Sequence, residues 1–195
     1  MDYYYLHEID EGENVSFNKK SHFSLNPRLG KPLDFNPDEA VYFTLMAGED
    51  YGYDQFDPDF DGDVQDLTLN QRLKDYYDHD ALFSEGIITV LREEAEACIQ
   101  LIPINITNEF NDEPIAKDFK MLNIVHSFLF DDIKQSNGTI CAADFHELSI
   151  QPDDVLYTPI FRLLPIGAII VNDRIASRIN KGGFKGIKAY LLGSE

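Results

Sequence analysis

The strongest constraint on the fold is a strand–helix–strand pattern near the end of the sequence. The apolar runs Ala168–Val171 and Ile187–Leu192 have the length and the β-branched content of buried strands. Between them, Asn172 or Asp173 can cap a short helix that extends to about residue 180, and the pair Gly182-Gly183 can supply the left-handed residue that ends it. We therefore expect this segment to form a strand–helix–strand unit.

An earlier segment has a similar sequence and predicts a second such unit. GIITVLREEA (Gly86–Ala95) aligns with GAIIVNDRIA (Gly167–Ala176) with four identities in ten positions. In this alignment Gly86–Val90 is a buried strand, Arg92–Ile99 is a short helix and Leu101–Thr107 is the returning strand. Chance similarity is the alternative, because short strand–helix segments share their residue types.

The remaining segments complete a mixed fold. They predict further strands at Tyr3–Ile9, Ala40–Met46, Phe119–His126, Phe145–Ile150 and Pro159–Leu163, and a short helix at Leu69–Tyr77. A chain of 195 residues is within the size range of one domain. We expect an α/β or α+β single domain, residues 1–195, with a mixed β-sheet and a few short helices, including the two strand–helix–strand units.

The net charge limits the classes of partner. The chain carries 16 Lys and Arg against 35 Asp and Glu, a formal net charge of -19, whereas a small domain needs a magnitude of only about 2–8 to stay in solution. Nucleic acid and anionic membranes repel such a surface, so we expect neither as a partner. A protein with a basic surface is the favoured partner. General solubility in the cytosol is the alternative reason for the charge.

The acidic residues are concentrated in one stretch. Leu33–Gln71 contains 11 acidic residues and no Lys or Arg. Within it, DPDFDGD (Asp57–Asp63) matches the first half of an EF-hand calcium loop, but position 12 of that loop is Thr68, which cannot supply the bidentate carboxylate. A solvated acidic loop is therefore favoured over a calcium site. The candidate partner-binding residues are Asp57, Asp59, Asp61, Asp63 and Asp66.

No catalytic motif is present in the sequence. GxSxG, GxGxxG and GxxxxGK[ST] are absent, and the five histidines have no HxxxH or HExxH spacing. Cys98 and Cys141 lie in apolar stretches and predict buried, reduced thiols; a pair of Cys141 with His126 or His146 is the less favoured alternative. We expect a protein that is not an enzyme and uses no metal or cofactor. A small metal-dependent enzyme or a calcium-binding module that uses residues 57–63 is the alternative.

The sequence predicts a cytoplasmic location. Its first residues, MDYYYLHEIDEGEN, contain neither a basic n-region nor an apolar h-region, so they do not predict a secretory signal. No apolar stretch approaches the roughly 20 residues of a transmembrane helix.

The C-terminal part of the sequence resembles a known family. Four short motifs carry the resemblance: Phe161-Arg162, Ile169–Val171, Asp173-Arg174 and Gly183–Ile187. They are similar to the end of the eleventh family of immunity proteins from bacterial polymorphic-toxin systems, formerly a domain of unknown function. Upstream, ITVLREEAEACIQLIPINI and MLNIV are similar to the earlier strand–helix–strand and Leu-Asn-Val strand of that family. The similarity covers about residues 83–192, and its departure is at Thr89–Arg92, where a Ser-Glu helix start is expected.

The resemblance implies a protein that binds and neutralises a cognate bacterial toxin or effector domain in interbacterial competition, without catalytic residues of its own. Residues 1–80 are then a variable acidic part and residues 81–195 the immunity-family-like part. Because no secretory signal is predicted, we expect the toxin to act in the cytoplasm, as nucleases and nucleotide-consuming enzymes do. An acidic loop can cover the cationic site that a nuclease uses to bind phosphate.

Overall fold

The computed structural model describes residues 2–9, 15–19, 30–47, 73–109, 112–129, 157–164 and 166–192. Within these ranges the chain forms short strands and two α-helices. In chain order, they are β1 (Tyr3–Glu8), β2 (Val15–Lys19), β3 (Val41–Ala47), β4 (Tyr76–Tyr77), β5 (Leu82–Ser84), α1 (Glu85–Ala95), β6 (Ile99–Ile102), β7 (Ile104–Asn108), β8 (Phe119–Ile124), β9 (Ser127–Leu129), β10 (Ile160–Leu164), β11 (Ala168–Asn172), α2 (Asp173–Lys181) and β12 (Ile187–Leu191).

The strands divide among three sheets. The C-terminal sheet has the order β12–β1–β11–β10–β9, with β9 parallel to β10 and the other neighbours antiparallel. The central sheet, β4–β5–β8–β6, is antiparallel throughout. In the outer sheet, β2–β3–β7, strand β3 is antiparallel to β2 and parallel to β7. The predicted mixed fold with short helices is confirmed and is of the α+β kind, although its strands form three sheets where one was expected.

Both faces of the central sheet contact a hydrophobic core. One core contains Phe83, Leu122 and Ile124 of this sheet, together with the apolar sides of α1 and α2 and one face of the C-terminal sheet. The other core contains Leu82 and Met121, which lie on the opposite face and pack with β3 and β7 of the outer sheet. Side chains alternate between the two faces of a strand, so one central sheet can serve two cores.

The first helix differs from its prediction. Helix α1 includes Gly86–Val90, so the expected strand at these positions is wrong. The β-branched run favours a strand locally, but its apolar positions continue at helical spacing through Ala95, and burial of that face outweighs the local preference. The buried positions of α1 are Ile87, Ile88, Val90, Leu91 and Ala95.

Two strand–helix–strand units are present, as predicted, but the register between them is different. They are β5–α1–β6 and β11–α2–β12, and the residues that precede their helices, Ser84 and Asn172, occupy equivalent positions. The ten-residue alignment instead places part of a helix on a strand and is wrong.

The predicted strand Leu101–Thr107 is two strands in different sheets. Pro103 separates them, because proline has no N–H to continue a ladder. Its carbonyl accepts a hydrogen bond from the Val41 N–H at 2.9 Å, which directs the chain from the central sheet to the outer sheet.

The predicted helix Leu69–Tyr77 is wrong for the part of it that the structure describes, residues 73–77. There the chain is extended, and Tyr76 and Tyr77 pair with Phe83 and Leu82. Burial of both tyrosine rings favours the strand.

The C-terminal prediction is confirmed in detail. Asn172 caps α2, since its Oδ1 accepts a hydrogen bond from the Ile175 N–H at 3.0 Å. After the helix, Gly183 adopts the left-handed conformation with φ of 69°. The predicted strands at Tyr3–Ile9, Ala40–Met46, Phe119–His126 and Pro159–Leu163 are also confirmed. The remaining predicted strand, Phe145–Ile150, lies outside the described residues.

Candidate functional site

A cleft opens where two strands of the C-terminal sheet diverge. Strand β1 stays paired with β12 as far as Glu8, but its pairing with β11 ends at Tyr5 and Ile170. Beyond this point the two strands enclose a cleft of about 380 Å³, to which the turn between β4 and β5 contributes Asp78 and His79.

The cleft has apolar walls and a polar rim. Leu6 and Ile169 belong to the hydrophobic core beneath it, and Ala168 and Ile166 contribute half-buried apolar surface. The exposed imidazoles of His7 and His79 and the half-buried carboxylates of Glu8 and Asp78 complete the lining. Such a combination of apolar surface with a few polar groups is typical of a binding pocket.

The two carboxylates are positioned by a hydrogen-bonded network. Glu8 Oε1 lies 3.3 Å from Lys74 Nζ, and Glu8 Oε2 accepts from the Asp78 N–H at 2.8 Å. The Tyr76 hydroxyl donates to Asp78 Oδ1 at 2.6 Å. Burial, and then the charge of Asp78, raise the pKa of Tyr76 well above its usual value. The Tyr76 hydroxyl therefore stays protonated, and the hydrogen bond that it donates positions the Asp78 carboxylate.

A buried arginine supports one wall of the cleft. Arg162 on β10 is fully buried, and its Nη1 donates to the Gly167 carbonyl at 2.6 Å. Gly167 has φ of 74°, in the left-handed region that favours glycine, and it forms the turn between β10 and β11. This bond fixes the turn that lines the cleft opposite Glu8.

Asp75, before β4, forms an ion pair with Lys117 and a hydrogen bond with the glycine-rich loop after α2. Asp75 accepts from Lys117 Nζ at 2.9 Å and from the Lys185 N–H at 2.7 Å. Lys117 also donates to the carbonyls of Leu73 and Lys74. Burial raises the pKa of Asp75, but the neighbouring Ser84 hydroxyl, Lys117 and the Lys185 N–H lower it by more, so the pKa lies below its usual value. These bonds hold the glycine-rich loop against the chain before β4.

Sequence reasoning did not identify the cleft. Its network joins residues 66 to 70 positions apart, as in the contacts of Glu8 with Lys74 and Asp78. No local spacing encodes such contacts. Of the residues that form the cleft, the sequence singled out only Arg162, through the family resemblance. The signal available in the sequence was a charged residue within the apolar run IFRLL.

The predicted partner-binding residues Asp57, Asp59, Asp61, Asp63 and Asp66 lie outside the described residues. Of the acidic stretch Leu33–Gln71, the described part includes Asp34, Asp38 and Glu39, and all three are exposed. The described residues contain 12 Lys and Arg against 17 Asp and Glu, a net charge of -5. The other 74 residues of the chain contain 4 Lys and Arg against 18 Asp and Glu, a net charge of -14. Most of the excess charge therefore lies outside the described framework.

The basic residues of the C-terminal quarter are not grouped into one site. Arg178 binds the carboxylates of Glu93 at 2.6 Å and Glu94 at 3.2 Å, and so links α2 to α1. Arg174 and Lys181 are exposed. Arg174 and Lys181 therefore lie on the solvent-exposed face of α2, whereas Arg178 pairs with acidic residues of α1.

Within the described ranges, no three His, Cys, Asp or Glu side chains are arranged to hold a metal ion. Cys98 is a buried free thiol, as predicted, and burial raises its pKa. The less favoured thiol–imidazole pair involves Cys141, which lies outside the described residues, as does His146.

Comparison with known proteins gives no relative: no family model matches the chain, and no curated protein is similar to it. Among the described residues, no helix is both long enough and apolar enough to cross a membrane.

Proposed function

We propose that this protein is a cytoplasmic immunity protein that binds and neutralises a cognate bacterial toxin with a basic surface. The observation that carries the proposal is the distribution of charge. The chain has a formal net charge of -19, and its stretch Leu33–Gln71 contains 11 acidic residues and no Lys or Arg. Folding alone does not require this excess, because like charges repel and lower the stability of a compact state. Recognition of a cationic partner gives the charge a use.

The family resemblance supports the same function. Its motifs build the framework: Phe161 and Ile169 are buried in the C-terminal sheet, and Asp173 begins α2. Since these residues stabilise the fold, they carry no information about the toxin. The candidates for the interface are therefore sought elsewhere, in the acidic stretch Leu33–Gln71, with Asp57, Asp59, Asp61, Asp63 and Asp66 as the first residues to test.

Neutralisation follows from charge complementarity. A toxin that acts on nucleic acid or nucleotides needs cationic side chains to bind phosphate. An acidic surface that covers those side chains excludes the substrate, and it also accelerates encounter with the toxin. The immunity protein itself then needs no catalytic group.

The direct test uses the product of the gene adjacent to this one. That product should stop the growth of a bacterial host when it is expressed alone. Co-expression with this chain should restore growth, and the two proteins should co-purify as a stoichiometric complex. Continued growth arrest in the presence of soluble chain, with no complex on gel filtration, would contradict the proposal.

A further inference from the structure

We propose that the outward face of the outer sheet is the centre of a docking surface for a protein partner whose own contact is uncharged and ringed by basic residues. The identity of that partner as the toxin rests on the proposed function. Six side chains, at alternating positions of the three strands, define this outer face. They are Asn18 of β2, Tyr42, Thr44 and Met46 of β3, and Asn105 and Thr107 of β7.

Alternation along the strands separates the outer face from the core. Phe43 of β3 and Ile106 of β7 belong to the core between the outer and central sheets, so the residues beside them point the opposite way. None of the three hydrophobic cores formed by the described residues includes a side chain of the outer face. Tyr42 is 53% exposed, and Asn18 and Asn105 are also exposed. A partner can therefore reach this face.

The composition of the outer face is that of an interface centre. The segment Ala40–Gly48, which contains β3, is uncharged, although Glu39 and Glu49 flank it directly. The centres of protein interfaces are depleted of charged residues and enriched in aromatic residues and methionine. In antibody binding sites, tyrosine supplies a rigid contact area and asparagine supplies adaptable hydrogen bonds. The outer face combines these residue types in a chain that is otherwise rich in charge.

The polar groups of the outer face are not used inside the described part of the chain. The strand register places Asn18, Thr44 and Thr107 side by side in one row. Thr44 is only 7% exposed, and its Oγ1 has no hydrogen-bond partner among the described residues, which is unfavourable for a buried hydroxyl. Elsewhere, the amides of Gln100 and Asn180 bind backbone groups. The row can therefore bind a partner without breaking a contact within the protein.

A cleft of about 320 Å³ adjoins the outer face and gives it depth. It lies between Tyr42 and β7 on one side and the chain around Ile115 on the other. Its charged lining is mixed in sign and consists of Lys117, Asp118 and Lys120. The strongest contacts of an interface are commonly made by side chains that enter such pockets. The cleft can therefore receive an anchoring side chain beside Tyr42, and it favours neither sign of charge.

Acidic residues at both ends of the outer face specify the surroundings of the contact. Asp38 and Glu39 precede β3 and are exposed, and Glu109 and Glu113 lie where β7 ends. An uncharged centre with acidic ends complements a contact ringed by Lys and Arg. A second copy of this chain would bring the same acidic ends, and their repulsion disfavours a dimer through this face.

The first experiment uses the product of the adjacent gene as the probe and measures its affinity by calorimetry. Tyr42→Ala removes the exposed ring from the outer face. Its matched control is Tyr157→Ala, which removes a ring that is 81% exposed in the loop before β10. We expect Tyr42→Ala to weaken binding by at least about tenfold and Tyr157→Ala to leave it unchanged. Equal affinities of the two variants would overturn the proposal.

Asn105→Glu separates contact through the outer face from attraction between net charges. The added negative charge should strengthen binding to a basic partner if net charge alone decides the affinity. A charge in the centre of a contact must instead lose its water, so we expect binding to weaken by at least about tenfold. Thr89→Glu, at an exposed position of α1, is the matched control. Unchanged or tighter binding by Asn105→Glu, with its fold verified by NMR, would reject the outer face as the interface.

The same measurements separate this inference from the proposed function. If the wild type does not bind the product of the adjacent gene, the proposed function is contradicted and the inference fails with it. If the wild type, Tyr42→Ala and Asn105→Glu bind equally well, the outer face is rejected and the proposed function stands. A dimer of the free wild type in analytical ultracentrifugation that Tyr42→Ala dissociates would assign the face to a second copy and would also overturn the proposal.

Discussion

Asn180, at the end of α2, takes the place of a strand beyond β12. Its Nδ2 donates to the Ala189 carbonyl and its Oδ1 accepts from the Ala189 N–H, both at 2.9 Å. Among the described strands, β12 is at the edge of the C-terminal sheet. Unpaired backbone groups at such an edge attract other chains, so a side chain that satisfies them protects the monomer from pairing.

Asn180→Ala should lower the free energy of unfolding and expose this edge. The loss of two partly buried hydrogen bonds costs about 1–2 kcal/mol, from which the better helix propensity of alanine recovers about 0.5 kcal/mol. Urea denaturation measures the change, and analytical ultracentrifugation measures self-association. Lys181→Ala, the exposed neighbour, is the control. Equal stability of the two variants would show that Asn180 does not hold the edge.

Asp75 makes stability depend on pH in a predictable direction. Because its pKa in the folded protein is lowered, ionised Asp75 stabilises the fold above the ordinary carboxyl pKa of 3.8. This contribution disappears as the pH falls through the lowered pKa. The difference in unfolding free energy between the wild type and Asp75→Asn should be about 1–3 kcal/mol near neutral pH and should shrink below about pH 4. A difference that stays constant into acid would contradict the assignment, and Asp118→Asn serves as the exposed control.

At the scale of elements, one aromatic ring packs between α1 and the end of α2. Phe184, in the loop after α2, lies so close to Gly86 of α1 that a Cβ there would be 2.9 Å from its Cε1. On its other side, a Cβ at Gly182 would be 2.4 Å from Cε2. The ring is therefore held between two glycines, and it cannot move away from one without meeting the other. This contact explains the glycine at position 86, in the first turn of α1.

A double-mutant cycle tests the contact between Phe184 and Gly86. In an unconstrained helix, Gly→Ala stabilises by about 1 kcal/mol. We expect Gly86→Ala to give no such gain in the wild type, because the new methyl group meets the Phe184 ring. In the Phe184→Ala background the same substitution should stabilise by about 1 kcal/mol. An equal gain in both backgrounds, measured by urea unfolding, would show that the ring does not restrict position 86.

Sequence patterns predicted those elements whose signals are local. The cap at Asn172, the apolar run of β11 and the glycine at 183 are close together, and the C-terminal unit was predicted correctly from them. The sequence predicted a strand at Gly86–Val90 because β-branched residues favour strands. The helix is favoured instead by its packing against two sheets, which the local sequence does not specify. The cleft depends on the pairing of Glu8 with Lys74, and a contact over 66 residues leaves no periodic trace in the sequence.

At the scale of the whole molecule, the proposed recognition of a cationic partner depends on where the acidic residues lie in the sequence. The framework binds its own charges in pairs, such as Lys74 with Glu8 and Arg178 with Glu93. The stretch Leu33–Gln71, by contrast, contains 11 acidic residues and no Lys or Arg with which they could pair locally. Exposed charges act over about 8 Å at physiological salt, so a concentrated acidic region mainly changes the rate at which a cationic partner is captured. Neutralising it should leave the fold intact and slow the association.

The most direct test of this account is the association rate constant with the cognate toxin, measured by stopped flow at several ionic strengths. The test variant replaces Asp57, Asp59, Asp61, Asp63 and Asp66 with Asn. The matched control neutralises five exposed acids of the framework, Asp2, Glu96, Asp112, Asp118 and Asp173, so both variants lose the same net charge. We predict that the test variant associates about tenfold more slowly at low salt and with a flatter salt dependence, whereas the control stays close to the wild type. Equal rates and equal salt slopes for the two variants would contradict recognition through the acidic region.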